Sequence, residues 1–174
     1  TTLNITSQDS TSLQLNALKL YQKLIAFHSK ENNIDALVDV DIDRLKFVRT
    51  NTTLTNKDEV YLQTLKNSSN QYKDNAVSGL YDFEIASLYF QQGETYQPKT
   101  NEDHRWKIKE ALEICNTVIA KFPKSLGAQK CEVLKQEILQ PSLLILSENR
   151  LPIQQNALMD VTYKNLEQLQ FKIY

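Results

Sequence analysis

The amino-acid sequence predicts a mainly α-helical protein, an antiparallel array of about six helices that ends in a short β segment of about three strands. Three observations carry this. Apolar residues recur at steps of three and four as far as Pro141. Breakers at Asn32-Asn33, Gly93, Pro98, Pro123 and Pro141 cut the pattern into helix-length pieces. Beyond Pro141 the period drops to two. The implied division is a polar, disordered leader over 1–10, a helical domain over 11–140 and a β-strand segment over 141–174.

The first helix runs from Ser12 to about Lys30, with Leu13, Ala17, Leu20, Leu24 and Phe27 on one face. A second spans Ile34 to Val48 and carries Leu37, Val38, Ile42 and Leu45. Asn56 with Glu59 three residues on resembles a capping box and opens a third helix bearing Val60, Leu62, Leu65 and Tyr72. The fourth, Ala76 to Gln92, is densest in apolar and aromatic residues and is expected to be the most buried, with Gly93 at the C′ position. A fifth runs from about Asp103 to Lys121, ending before Pro123. Ser125 caps a sixth that stops near Gln140.

Three strands are expected next: Ser142 to Ser147, Ala157 to Tyr163, and Gln168 to Tyr174, where Leu169, Phe171 and Ile173 alternate with polar residues. Three strands with an apolar face need a partner layer. Two arrangements supply one: a truncated second domain beginning near Pro141, or a small sheet packed on the helices.

The composition excludes several classes. The chain has 174 residues, a net charge of −1, 3 glycines, 2 histidines and 2 cysteines. A near-neutral balance gives no footprint for nucleic acid. Three scattered glycines build no phosphate-cradling loop, and so few His and Cys make no zinc framework. No apolar run reaches the length of a membrane span, and no signal peptide opens the chain.

Few residues carry a chemical motif. Asp39, Asp41 and Asp43 copy the start of a calcium loop, but Arg44 and Thr50 stand where its Gly and Glu belong, so a solvated helix face is expected. His28 and His104 have no acid or Cys cluster nearby in sequence. Asn4, Asn51 and Asn67 begin glycosylation tripeptides of a kind common in Asn- and Thr-rich chains. No catalytic, cofactor or metal residues are assigned. Cys115 and Cys131 each lie eight residues from Pro123. Helices folding back around that corner would carry each about 12 Å away from it, where the two can face each other. They are either a disulfide, in an oxidising compartment, or two small buried hydrophobes.

The stretch from Phe83 to Pro123 resembles a tetratricopeptide repeat. Ala86, Tyr89 and Gly93 match the first helix of that repeat, and Ala111 and Pro123 match the second. About a dozen extra residues separate Gly93 from Ala111 when set against a repeat of about 34 residues, and Cys115 replaces an aromatic. The likeness is to one degenerate repeat in a TPR-like array.

Four blocks together resemble the N-terminal region of the large alpha-2-macroglobulin-like proteins of Bacteroidetes-type bacteria. The first is Ile25 to Val48, with Ala26-Phe27-His28, Asp35-Ala36-Leu37-Val38-Asp39 and Asp43-Arg44-Leu45. The second is Tyr61-Leu62 with Leu65 and Gln71-Tyr72-Lys73-Asp74. The third runs from Trp106-Lys107 through Ala111 to Cys115, then Phe122-Pro123, Ser125, Gly127-Ala128 and Cys131. The fourth is Ser142-Leu143, Leu151-Pro152, Ala157-Leu158, Tyr163-Lys164-Asn165 and the alternating tail.

The resemblance implies a helical leader followed by the opening strands of a macroglobulin-type β-sandwich of about seven strands. It implies a non-catalytic scaffold or interaction region of a protease trap, with bait and thioester outside this chain: Asn116 and Glu132, not a thioester motif, follow the two cysteines. It implies a periplasmic or membrane-anchored setting, with the signal sequence outside this sequence, which favours a Cys115–Cys131 bridge. Implied partners are the rest of the same polypeptide and proteases or a periplasmic or outer-membrane protein; open strand edges add self-association. The rival readings are a free-standing TPR-like adaptor with a polar or charged peptide groove, and an enzyme, which would need a pocket of perturbed titratable groups.

Overall fold

The computed structural model describes residues 9, 11–148 and 158–172. Six helices come first: α1 (Leu13–Lys30), α2 (Ile34–Asn51), α3 (Lys57–Gln71), α4 (Ser78–Gly93), α5 (Lys107–Lys121) and α6 (Leu126–Leu139). Two strands follow, β1 (Ser142–Ser147) and β2 (Met159–Lys164). The protein is mainly helical with a small C-terminal sheet. Of the expected leader, only Asp9 lies within the described residues.

Local chemistry sets the helix boundaries. The Ser12 hydroxyl accepts from the Leu15 amide, the Asn33 carboxamide oxygen from Ala36, and the Ser125 hydroxyl from Ala128. Asn32 takes the left-handed conformation, at φ 55°, that turns the chain between α1 and α2. Two expectations need correction. Asn56 holds the N-cap position of α3, yet its side chain makes no capping bond. Helix α5 begins at Lys107 rather than near Asp103, because His104 sits at φ 65°, which a right-handed helix cannot continue.

Helix α4 is the axis of the core. Leu80, Tyr81, Ile85, Ala86, Leu88, Tyr89 and Phe90 are all buried. Around them gather Val38, Ile42 and Leu45 of α2, Tyr61 and Leu65 of α3, Ala111, Cys115 and Val118 of α5, and Ala128, Cys131, Leu134 and Ile138 of α6. Helix α4 packs on α3, α5 and α6. Two polar links tie α2 to it: Tyr81 donates its hydroxyl to Asp41 at 2.9 Å, and Lys46 pairs with Glu84 at 2.6 Å.

Glycines bring the helices together. A Cβ on Gly127 would lie 2.5 Å from the carbonyl carbon of Gly79, so α4 and α6 cross with their backbones touching. A Cβ on Gly93 would lie 2.4 Å from Ile108 Cγ1 and 2.9 Å from its amide nitrogen. Gly93 is therefore not the expected left-handed C′ residue. It is the last residue of α4, and its missing side chain admits the first turn of α5.

Helix α1 is much less covered. It leans on α2, with Tyr21 and Phe47 rings 5.7 Å apart, and Leu15 is its one buried residue. Leu13, Leu20 and Phe27 of its apolar stripe stay exposed.

Strands β1 and β2 form an antiparallel ribbon in register from Ser142↔Lys164 to Ser147↔Met159. All six residues of β1 are exposed. The third expected strand is absent: residues 168–172 are described and carry no strand, while 173 and 174 lie outside the described residues. Alternation marks a segment able to be a strand, but it becomes one only when a neighbouring edge takes its backbone hydrogen bonds. After β2 the chain is tied elsewhere. Asn165, at φ 54°, donates its side-chain amide to the Ile138 carbonyl at 2.7 Å and to that of Gln140 at 3.3 Å. These bonds use carbonyls at the end of α6 that have no partner within the helix.

Candidate functional site

A groove crosses α2, α4 and α6, three alternate helices of the array. Its floor is one face of α4, where Phe83, Ser87 and Gln91 stand four residues apart. On one side it forms a depression of about 310 Å³ with Lys46, Arg49 and Thr50 of α2 and Tyr61 of α3. On the other it opens into a shallower one of about 560 Å³ with Phe90 and Glu94 of α4 and Lys130, Val133, Leu134 and Glu137 of α6. The three floor residues line both depressions.

The α2 side is built on a buried carboxylate. Glu84 is 6% exposed, pairs with the Lys46 amine and accepts the Tyr61 hydroxyl at 3.5 Å. Burial, reinforced by the Glu84 charge, holds the Tyr61 phenol above its ordinary range, so it stays a proton donor. Arg49 lies 5.0 Å from the centre of the Tyr61 ring and donates to Asp58 at 2.7 Å. The α6 side rests on aromatic faces. Lys130 lies 5.5 Å from the Phe83 ring centre and Lys164 of β2 lies 5.7 Å from that of Phe90. Lys164 also donates to the Glu137 carbonyl at 3.4 Å, which brings the base of the ribbon to this end of the groove.

This arrangement suits an extended polypeptide. Phe83 and Val133 offer apolar surface, Ser87 and Gln91 can pair with backbone amides, and Lys130 can meet a carboxylate, while Lys46 is already paired with Glu84. The ribbon beside it is also open to solvent. Leu143, Leu144, Ile145 and Leu146 are all 44–56% exposed, and β1 carries no charge. Natural sheet edges are ordinarily blunted by charge or proline. Here only β2 has such residues, Asp160 and Lys164.

The residues singled out in the sequence fall in several places. Asp39 and Asp43 are exposed on α2, as a solvated face requires, but Asp41 is structural and binds both Arg44 and the Tyr81 hydroxyl. His28 sits on α1, 3.5 Å from Glu31 and edge-on to Phe27, while His104 is exposed in the loop before α5. Asn51 donates to the Phe47 carbonyl and Asn67 accepts from Gln63; Asn4 lies outside the described residues. Ala86, Tyr89, Gly93 and Ala111 all lie buried where α4 meets α5. Cys115 and Cys131 are brought together in the core as free thiols. Their hydrogen bond pulls Cys115 below the ordinary thiol range and pushes Cys131 above it, burial adding to the rise at Cys131. Among the described residues, no group of three or more His, Cys, Asp and Glu is gathered for a metal ion. No described helix is long and apolar enough to cross a membrane.

The groove residues themselves were not singled out from the sequence. Glu84 was the one legible signal, a carboxylate in the middle of the most apolar helix. A charge placed there needs a partner. The chain matches no protein-family model, and comparison with curated proteins and with solved structures returns no significant match.

Proposed function

We propose that the chain is a non-catalytic interaction scaffold: a helical array holding an incomplete β-layer for another polypeptide segment to complete. The observation that carries this is β1, an uncharged apolar strand exposed along its whole length beside a self-contained helical core. A two-stranded ribbon is at best marginal alone, and further strands or a covering layer stabilise it. The resemblance to bacterial alpha-2-macroglobulin-like proteins gives this scaffold a parent. In such a parent the completing strands belong to the same polypeptide, and the setting is extracytoplasmic. The buried charge of the groove supports a structural role, since Glu84 is already engaged by Lys46 and Tyr61.

A second reading, a peptide-binding adaptor, is favoured by the mixed aromatic and cationic groove across α2, α4 and α6. One experiment separates the two. A displayed library of random 12-residue peptides is selected on the wild-type chain, and the binders are tested on Leu144→Pro and Ser87→Trp. Proline removes a backbone donor from the ribbon; tryptophan fills the groove. Binding lost with Leu144→Pro alone supports the scaffold. Binding lost with Ser87→Trp alone moves the site to the groove. Selection that yields no specific binder contradicts both.

A further inference from the structure

Cys115 and Cys131 are the only cysteines in the chain. They lie on adjacent helices joined by the four-residue corner Phe122-Pro123-Lys124-Ser125. Both are 0% exposed, among the most completely buried side chains of the molecule, and both belong to the one core cluster where α5 packs on α6. Neither lines the groove. The corner is hydrogen-bonded at both ends: the Phe122 amide donates to the Val118 carbonyl, the Ser125 amide to the Phe122 carbonyl, and the Ser125 hydroxyl caps α6. Beyond it, Gly127 against Gly79 brings the backbones of α6 and α4 together, and with both cysteines at 0% exposure a reagent reaches them only when the helices part.

We propose that Cys115 and Cys131 form a disulfide that is made only before α5, α6 and α4 close, so that the folded chain keeps the thiol state in which it folded. The chemistry is exchange with a small-molecule disulfide such as glutathione disulfide. One thiolate attacks it, forming a mixed disulfide and releasing one glutathione thiolate. The second cysteine thiolate then attacks the protein sulfur of the mixed disulfide, forming the Cys115–Cys131 bond and releasing the second glutathione. The two cysteines lose two electrons and two protons in all, and the oxidant is reduced to two thiols. Both side chains are fully buried in the closed core, where a glutathionyl group has no exposed sulfur to join, so both steps belong to the open chain.

The test is refolding in two arms. Reduced, unfolded chain is refolded with glutathione disulfide present or with excess dithiothreitol, and thiols are counted on monomer before and after guanidinium. The oxidised arm is expected to show no thiol in either condition, a mass lower by two hydrogens, and a melting temperature about 5–10 °C higher. The reduced arm is expected to show two thiols in guanidinium and none when native. Glutathione disulfide should oxidise the native reduced protein at least about a hundredfold more slowly than the unfolded chain, because reaction waits on opening of the core. Cys115→Ala should leave one thiol at Cys131 that reacts only after unfolding. Two thiols in oxidatively refolded monomer, or a bridged monomer without the native helical signal, would overturn the bridge. Native reduced protein oxidised as fast as unfolded chain would overturn the sealing.

Discussion

Helix α4 and strand β1 are both rich in apolar residues, and they meet opposite fates. Leu88 of α4 is 2% exposed; Leu144 of β1 is 55% exposed. The difference lies in what stands beside each. Helix α4 has α3, α5 and α6 packed around it and α2 tied to it by Asp41 and Glu84. Strand β1 has one neighbour, β2, and no described element over either face. Apolar sequence shows what a segment can gain from burial; the fold decides whether anything nearby supplies it.

The same substitution in the two regions breaks the comparison most sharply. Leu88→Ala should cost about 2–5 kcal/mol by urea denaturation, as a cavity forms between packed helices. Gly127→Ala comes next, at about 1–3 kcal/mol, because its new methyl meets the backbone of Gly79 and not a side chain that can swing aside.

Asp82 gives a smaller effect, visible through pH. Burial raises its pKa, opposed by the Ser69 hydroxyl hydrogen bond and by Lys121. A folded-state value above the unfolded one means that the protonated acid favours folding. That contribution is complete below the unfolded value and is lost as pH rises from 3.8 through the raised folded value. Asp82→Asn should flatten this acid-side slope in unfolding midpoints measured across the acid range. The smallest effect is Leu144→Ala, expected to change stability by less than about 0.5 kcal/mol, since its side chain is already half in water. A loss of 2 kcal/mol or more there would mean that β1 belongs to the core.

The helices were legible because each signal was local: a stripe at helical spacing, Asn32-Asn33 as a break, Ser125 as a cap, Pro123 and Pro141 as stops. Strand β1 was legible from end to end. The third strand was not, because Leu169 and Phe171 alternate whether or not an edge receives them, and Asn165 ties the preceding turn to α6. Gly79, Gly93 and Gly127 were read as too scattered for a phosphate loop, with Gly93 also at a helix end and in the repeat pattern, but the contact of Gly79 with Gly127 was not read. Their role depends on which helices cross, a long-range fact that spacing does not carry. The groove was hidden for the same reason. Lys46, Ser87 and Lys130 share it through the stacking of alternate helices, while the symmetry of Cys115 and Cys131 about Pro123 was readable because a tight corner makes it local.

Backbone hydrogen exchange on the isolated chain, read by mass spectrometry over α4 and β1, tests the central claim most directly. A self-sufficient helical core carrying an uncovered ribbon requires α4 amides to exchange only through global unfolding and β1 amides to exchange orders of magnitude faster. Protection of β1 equal to that of α4 would contradict it, because the ribbon would then be part of the cooperative core and not a layer awaiting a partner.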